Sequence, residues 1–124
     1  MNDLTSKKFR ESLQEAIDLF NNQKWYEAHD AFEDIWNDLV GDERQIVQGI
    51  LQVSVSQFHL NKGNLNGAMI LLGEGLGRIR NRFSEDLEID LLLLCSSLES
   101  LLDKLHKNIP INKNDVPFLK KIKK

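Results

Sequence analysis

In the stretch WYEAHDAFEDIW, residues 25–36, His29 and Glu33 stand four residues apart between Trp25 and Trp36. On a helix that spacing puts an imidazole and a carboxylate one turn apart on one face. There they can share a proton, ligate a metal together, or serve as a base with histidine help. Gln48, Gln52 and His59 follow at spacings that make a second helical stripe, and Arg44 stands ahead of them as a candidate counter-charge for Glu33, Asp34 or Asp38. Buried without a partner, each such amide or imidazole costs about 1–3 kcal/mol, so stripes that face inward should find one another.

Three kinds of chemistry fit this set. The first is an internal network in which Glu33 accepts from His29, His59 or a glutamine while the tryptophans exclude water, fixing helix register. The second is a small-molecule or metal site, including a metal-dependent hydrolase, with His29, Glu33 and His59 as the candidate ligands. The third is a helical module that binds a protein or peptide partner. A metal site has the thinner support, because neither a His-Glu-x-x-His element nor the Glu-x-x-His pattern of bundle di-iron proteins is present. No residue is assigned as catalytic and no cofactor is expected. Cys95 and the serines lack a nucleophile elbow, and the glycines of GEGLG lack the preceding strand that a phosphate loop requires.

The elements that must position these residues are helices. Phe9, Leu13, Ala16, Ile17 and Phe20 recur at helical spacing and predict a first amphipathic helix over about 6–22, with a second over about 24–38. Gly41 is expected to stop that helix, and Asp42 with Gln45 to form a capping box for the third. From Gln45 through Asn61 there is no Asp, Glu, Lys or Arg, which predicts a helix in the middle of the domain. A fourth helix, over about 65–82, carries Gly67, Gly73, Gly75 and Gly77. Interior helical glycine costs about 1 kcal/mol against alanine, so close packing over a glycine surface is expected there.

Ser84 is expected to cap a fifth helix whose leucines at 87, 91, 94, 98, 101 and 105 form a seam. That seam suits core burial, with a homodimer contact through 87–105 as the alternative. Strand signals are absent. The expectation is an all-α five-helix bundle over 1–107, built of two helical hairpins plus a capping helix. A basic tail over 108–124 should lie on the surface or move freely, with Phe118 or Leu119 as anchors. Sliding the chain by 40 residues lays Phe20 on Leu60, Trp25 on Leu65 and Ala28 on Ala68, as in a repeated hairpin of tetratricopeptide type.

The segments FNNQKWYEAHDAFEDIW and RQIVQGILQVSVSQFHLNKGNLNGA resemble the prokaryotic family catalogued as domain of unknown function 309. Its motif residues fall on His29, Asp30, Glu33, Trp36, Arg44, Gln48, Gln52, His59, Asn64 and Gly67. The resemblance spans roughly 20–76 and implies a small tetratricopeptide-like bundle with no established activity. Gln23 stands where the family tends to have glycine, which suggests a differently shaped turn, and Asp30 where it tends to have glutamate.

Over 124 residues the chain has 41% hydrophobic and 28% charged residues, as a single globular domain would. A net charge of −3 gives no reason to expect nucleic acid or an anionic membrane as partner, and the basic end KKIKK reads as a solvated tail. The charged N-terminus lacks a signal sequence, no segment reads as a membrane span, and the lone Cys95 reads as an inert buried thiol, so a cytoplasmic location is expected.

Overall fold

Apolar residues at three- and four-residue spacing fold, in this computed structural model, into five helices: α1 (Lys7–Asn21), α2 (Trp25–Trp36), α3 (Gly41–Asn61), α4 (Leu65–Ile79) and α5 (Leu91–His106). The structure describes residues 6–122, so Met1–Thr5, with part of the charged N-terminal stretch, and Lys123 and Lys124 of the basic end lie outside it. Among the described residues there is no strand ladder, only an isolated antiparallel bridge between Ile89 and Lys121. The all-helical bundle expected from the periodicity is the fold.

Each helix packs on the next in chain order, and α3 lies between α2 and α4. Leu13, Ala16, Ile17 and Phe20 of α1, Ala28, Phe32 and Ile35 of α2, and Ile46, Val47, Ile50 and Val53 of α3 form the centre of the core. Phe20 anchors it, with Trp25 edge-on at 5.0 Å between ring centroids and Phe32 at 6.4 Å. The leucine seam of the fifth helix, including Leu94, Leu98, Leu101 and Leu105, is buried inside the bundle.

The offset of 40 residues holds in the backbone. Helices α1 and α3 end at Asn21 and Asn61, and α2 and α4 begin at Trp25 and Leu65. The two turns use the same hydrogen bonds: Lys24 N–H donates to Leu19 O as Asn64 N–H does to His59 O, both at 2.9 Å. Gln23 and Gly63 take the matching left-handed conformation, at φ 63° and 81°. The turn at Gln23 therefore has the shape of the glycine turn at Gly63. It is the same turn with a side chain in a conformation that favours glycine.

Glycine packing is also realised, at a narrower set of positions. A Cβ on Gly75 would stand 2.7 Å from the carbonyl oxygen of Gly49, and a Cβ on Gly49 would stand 2.7 Å from that of Gly75. Here α3 and α4 meet backbone to backbone. Ser56 joins them again, its hydroxyl donating to Ala68 O at 2.7 Å. Gly73 and Gly77 have no such neighbour; a Cβ on Gly77 would meet nothing within 4 Å.

Two caps differ from expectation. Gly41 opens α3 rather than closing α2, and Asp42 and Gln45 make no capping box. Both are taken by arginines, one in the last turn of α4 and one just beyond it: Arg78 donates to Gln45 at 2.7 Å and Arg82 to Asp42 at 2.8 Å. Ser84 accepts from Leu87 N–H in a turn ahead of the last helix, and Asp90 caps α5 through Leu93 N–H at 3.0 Å. Beyond α5 the chain returns along the bundle. Leu119 is buried while Phe118 is 47% exposed, so Leu119 is the anchor of the two.

Candidate functional site

Two stripes on α2 decide what the site becomes. Trp25, Ala28, Phe32 and Ile35, at intervals of three and four, form its buried face. His29, Glu33 and Trp36 trail that face by one position, which rotates them about 100° to the edge of the interface with α3. Trp25 is thus a core residue, 5% exposed, and does not share the stripe of His29. On α3 the same division puts Ile46, Val47, Ile50 and Val53 inside, with Gln48 and Gln52 half-buried at the edge.

The two edges meet in an open cleft. His29, Glu33 and Trp36 from α2, Gln48, Leu51, Gln52 and Val55 from α3, and Leu71 from α4 line a volume of about 250 Å³. Of the residues singled out in the sequence, the structure brings His29, Glu33, Trp36, Gln48 and Gln52 together and leaves His59 out. His59 lies near the far end of α3, where its Nδ1 is 3.2 Å from Asn64 Nδ2; Asn64 also caps α4 through Gly67 N–H at 3.0 Å. The motif residues Asn64, Gly67 and His59 are therefore parts of one turn.

The cleft is open to solvent, and the dry proton-sharing seam expected from the stripes is not formed. The Glu33 side chain is 55% exposed and that of His29 31%, with His29 Nε2 3.9 Å from Glu33 and Nδ1 3.3 Å from Asp30. Gln52 donates through Nε2 to Glu74 of α4 at 3.4 Å, while its Oε1 is closed off from solvent without a partner. Arg44 does not reach Glu33: its guanidinium lies 3.7 Å from the centroid of the Trp36 ring and donates to Leu39 O at 3.0 Å. Arg44 thus closes the α2–α3 corner and holds Trp36 at one end of the cleft. A cation over a tryptophan face contributes about 0.5–1 kcal/mol at exposed sites and more where water is excluded.

With His59 apart, the three candidate metal ligands do not converge, and among the described residues no three His, Cys, Asp or Glu side chains are placed to hold a metal ion. What remains lining the cleft is one imidazole, one carboxylate, two amides and an apolar wall. Cys95 is half-buried on α5; burial, and next the nearby Glu99 carboxylate, push its thiol above the usual range, with Arg80 opposing. That makes it a poor nucleophile.

Sequence reasoning missed Tyr26, Leu71 and Glu74. Tyr26 is 62% exposed and stacks obliquely on Phe58, centroids 6.2 Å apart, at the end of the cleft away from Trp36. A signal for it existed, since it precedes His29 by three residues and Glu33 by seven. No signal pointed to Leu71 or Glu74, whose place depends on how α4 docks.

The fold and the cleft define a small helical domain of two matched hairpins closed by a fifth helix. Residues 13–71, which run from within α1 through α2 and α3 into the first half of α4, match the family described as "Domain of unknown function (DUF309)". No curated protein and no solved structure matches the chain. Among the described residues, no helix is long and apolar enough to cross a membrane.

Proposed function

We propose that the protein is a non-enzymatic binding module, and that the cleft on the α2–α3–α4 face is where a polypeptide partner docks. The observation that carries this reading is that the signature side chains, Glu33 exposed and the others half-buried, line a cleft open to solvent. His29, Glu33, Trp36, Gln48 and Gln52 line an open cleft instead of satisfying one another inside the bundle. Residues engaged in an internal network would be closed off and paired.

The surroundings of the cleft support a macromolecular ligand over a small one. Its volume of about 250 Å³ is below the range usual for pockets that enclose a drug-sized ligand. The helices that form it also carry exposed apolar side chains, Tyr26 of α2 at 62% and Ile70 of α4 at 63% exposure. From Tyr26 to Trp36 the α2 edge runs about 15 Å at 1.5 Å per residue, the length of four or five residues of extended chain. The placement of His59 beside Asn64, away from His29 and Glu33, supports this reading over metal-dependent hydrolysis.

Site-directed photocrosslinking tests this. A photoreactive phenylalanine analogue at Val55, in the cleft, should give a discrete polypeptide adduct in the cells of origin, whose crosslinked segment is then read by mass spectrometry. The same analogue at exposed Glu15 of α1 should not. Equal labelling from both positions, or none from Val55, would overturn the proposal.

A further inference from the structure

We infer that the cleft takes a basic side chain of its partner, with the cationic head against Glu33 and the Gln52–Glu74 pair and the aliphatic stem on Trp36, Val55 and Leu71. This rests on the binding-module reading and names the chemistry of the segment bound.

Charge is the first argument. Of the side chains lining the cleft none is lysine or arginine, Glu33 is its carboxylate, and Glu74 stands behind Gln52. Asp30 adds a third negative group beside His29. Of the cations at its two ends, Arg44 is engaged with the Trp36 ring and the Leu39 carbonyl, and the Lys62 ammonium lies 5.2 Å over the Phe58 ring. Hydrogen-bond supply points the same way. Gln52 has given its Nε2 to Glu74 and its Oε1 is closed off from solvent, while the exposed Glu33 carboxylate is held only by His29 at 3.9 Å. The group left unanswered at the open cleft is an acceptor, so the missing complement is a donor. Arginine and lysine supply donors and no acceptor.

The shape of the chemistry agrees with both. A polar acceptor set beside Trp36, Leu51, Val55 and Leu71 suits a side chain that is apolar along its stem and charged at its tip. Neutral donors such as serine or asparagine lack the stem, and an apolar anchor would bury Glu33 against nothing. An exposed ion pair contributes little by itself. The flanking Tyr26–Phe58 pair is placed to supply further contact to the residues on either side of the basic one.

The full-length chain, isotopically labelled, is titrated with the capped tripeptide Ac-Ala-Arg-Ala-NH2 and with its citrulline counterpart, which keeps the stem and loses the charge. The resonances read are the Trp36 indole N–H and the Gln52 side-chain amide. Saturable shifts of both are expected with the arginine peptide. Removal of the charge, in citrulline or in the Glu33→Gln variant, is expected to weaken binding about fivefold, as for loss of an ion pair of about 1 kcal/mol. Because Glu33 is exposed, the variant keeps its fold, which dispersion of the remaining resonances verifies. No saturable shift, or equal affinity for the citrulline peptide, overturns the assignment. Adducts at Val55 without a response to the arginine peptide would sink the basic ligand and leave the docking site standing; failure of both would sink the two together.

Discussion

At the scale of single residues, exposure decides what His29 and Glu33 can be. A buried pair would make each truncation costly, since an uncompensated polar partner would remain out of water. Here both side chains reach solvent and are 3.9 Å apart, so neither holds the other tightly. His29→Ala and Glu33→Ala are each expected to change stability by no more than about 0.5 kcal/mol, the usual range for surface positions away from caps and cores. Denaturant midpoints check this. A loss of several times that amount in either variant would mean that the pair supports the fold after all.

At the scale of helices, the tightest constraint is the crossing of α3 over α4. Gly75→Ala puts a methyl 2.7 Å from the Gly49 carbonyl, and backbone cannot step aside as a side-chain tip can. The helices must separate, and overpacking of this kind costs about 1–3 kcal/mol. Gly77→Ala, two residues on, meets open space and should gain up to about 1 kcal/mol from helix propensity alone. Thermal melts of the two variants should therefore move in opposite directions; a stable Gly75→Ala would show that the helices have room to spare. Periodicity made the five helices legible, because burial of one apolar face per helix is written directly in the spacing of residues such as Leu13, Ile17 and Phe20. It also flagged the glycines of α4, yet not Gly49 on the facing helix, since close approach depends on two helices and a sequence shows one at a time. The polar stripes failed for a related reason. One residue of offset from Phe32 to Glu33 carries a side chain from the core to the rim, and helical spacing alone does not say which side of that edge water occupies.

At the scale of the whole molecule, the chain beyond α5 is fastened to the bundle at several places, among them the Lys121 ammonium, which donates to Gln14 of α1 at 3.0 Å. The Asn21 side chain pairs with the Leu119 backbone as a neighbouring strand would, donating to its carbonyl at 2.9 Å and accepting from its N–H at 2.7 Å. Asp90 N–H donates to Lys120 O and Ile122 N–H to Glu88 O, both at 2.8 Å. Asp115 accepts from the Asn112 backbone at 2.9 Å and from Lys104 of α5 at 2.7 Å. The backbone N–H of Asn112, and next the Lys104 ammonium, hold the Asp115 carboxyl below the usual carboxylate range, with burial opposing. A carboxyl that ionises more easily when folded stabilises the docked form fully above its unfolded pKa of about 3.9, and that contribution is lost as pH falls through the lower folded value. Wild-type protection of the Leu119 and Ile122 amides against hydrogen exchange, corrected for intrinsic rates, should accordingly decline at the acid end. In Asp115→Asn the protection should already be reduced at neutral pH and lack that acid step, while the amides of α3 keep theirs. An identical acid step in both proteins would assign it to another carboxylate and leave Asp115 without a part in holding the tail.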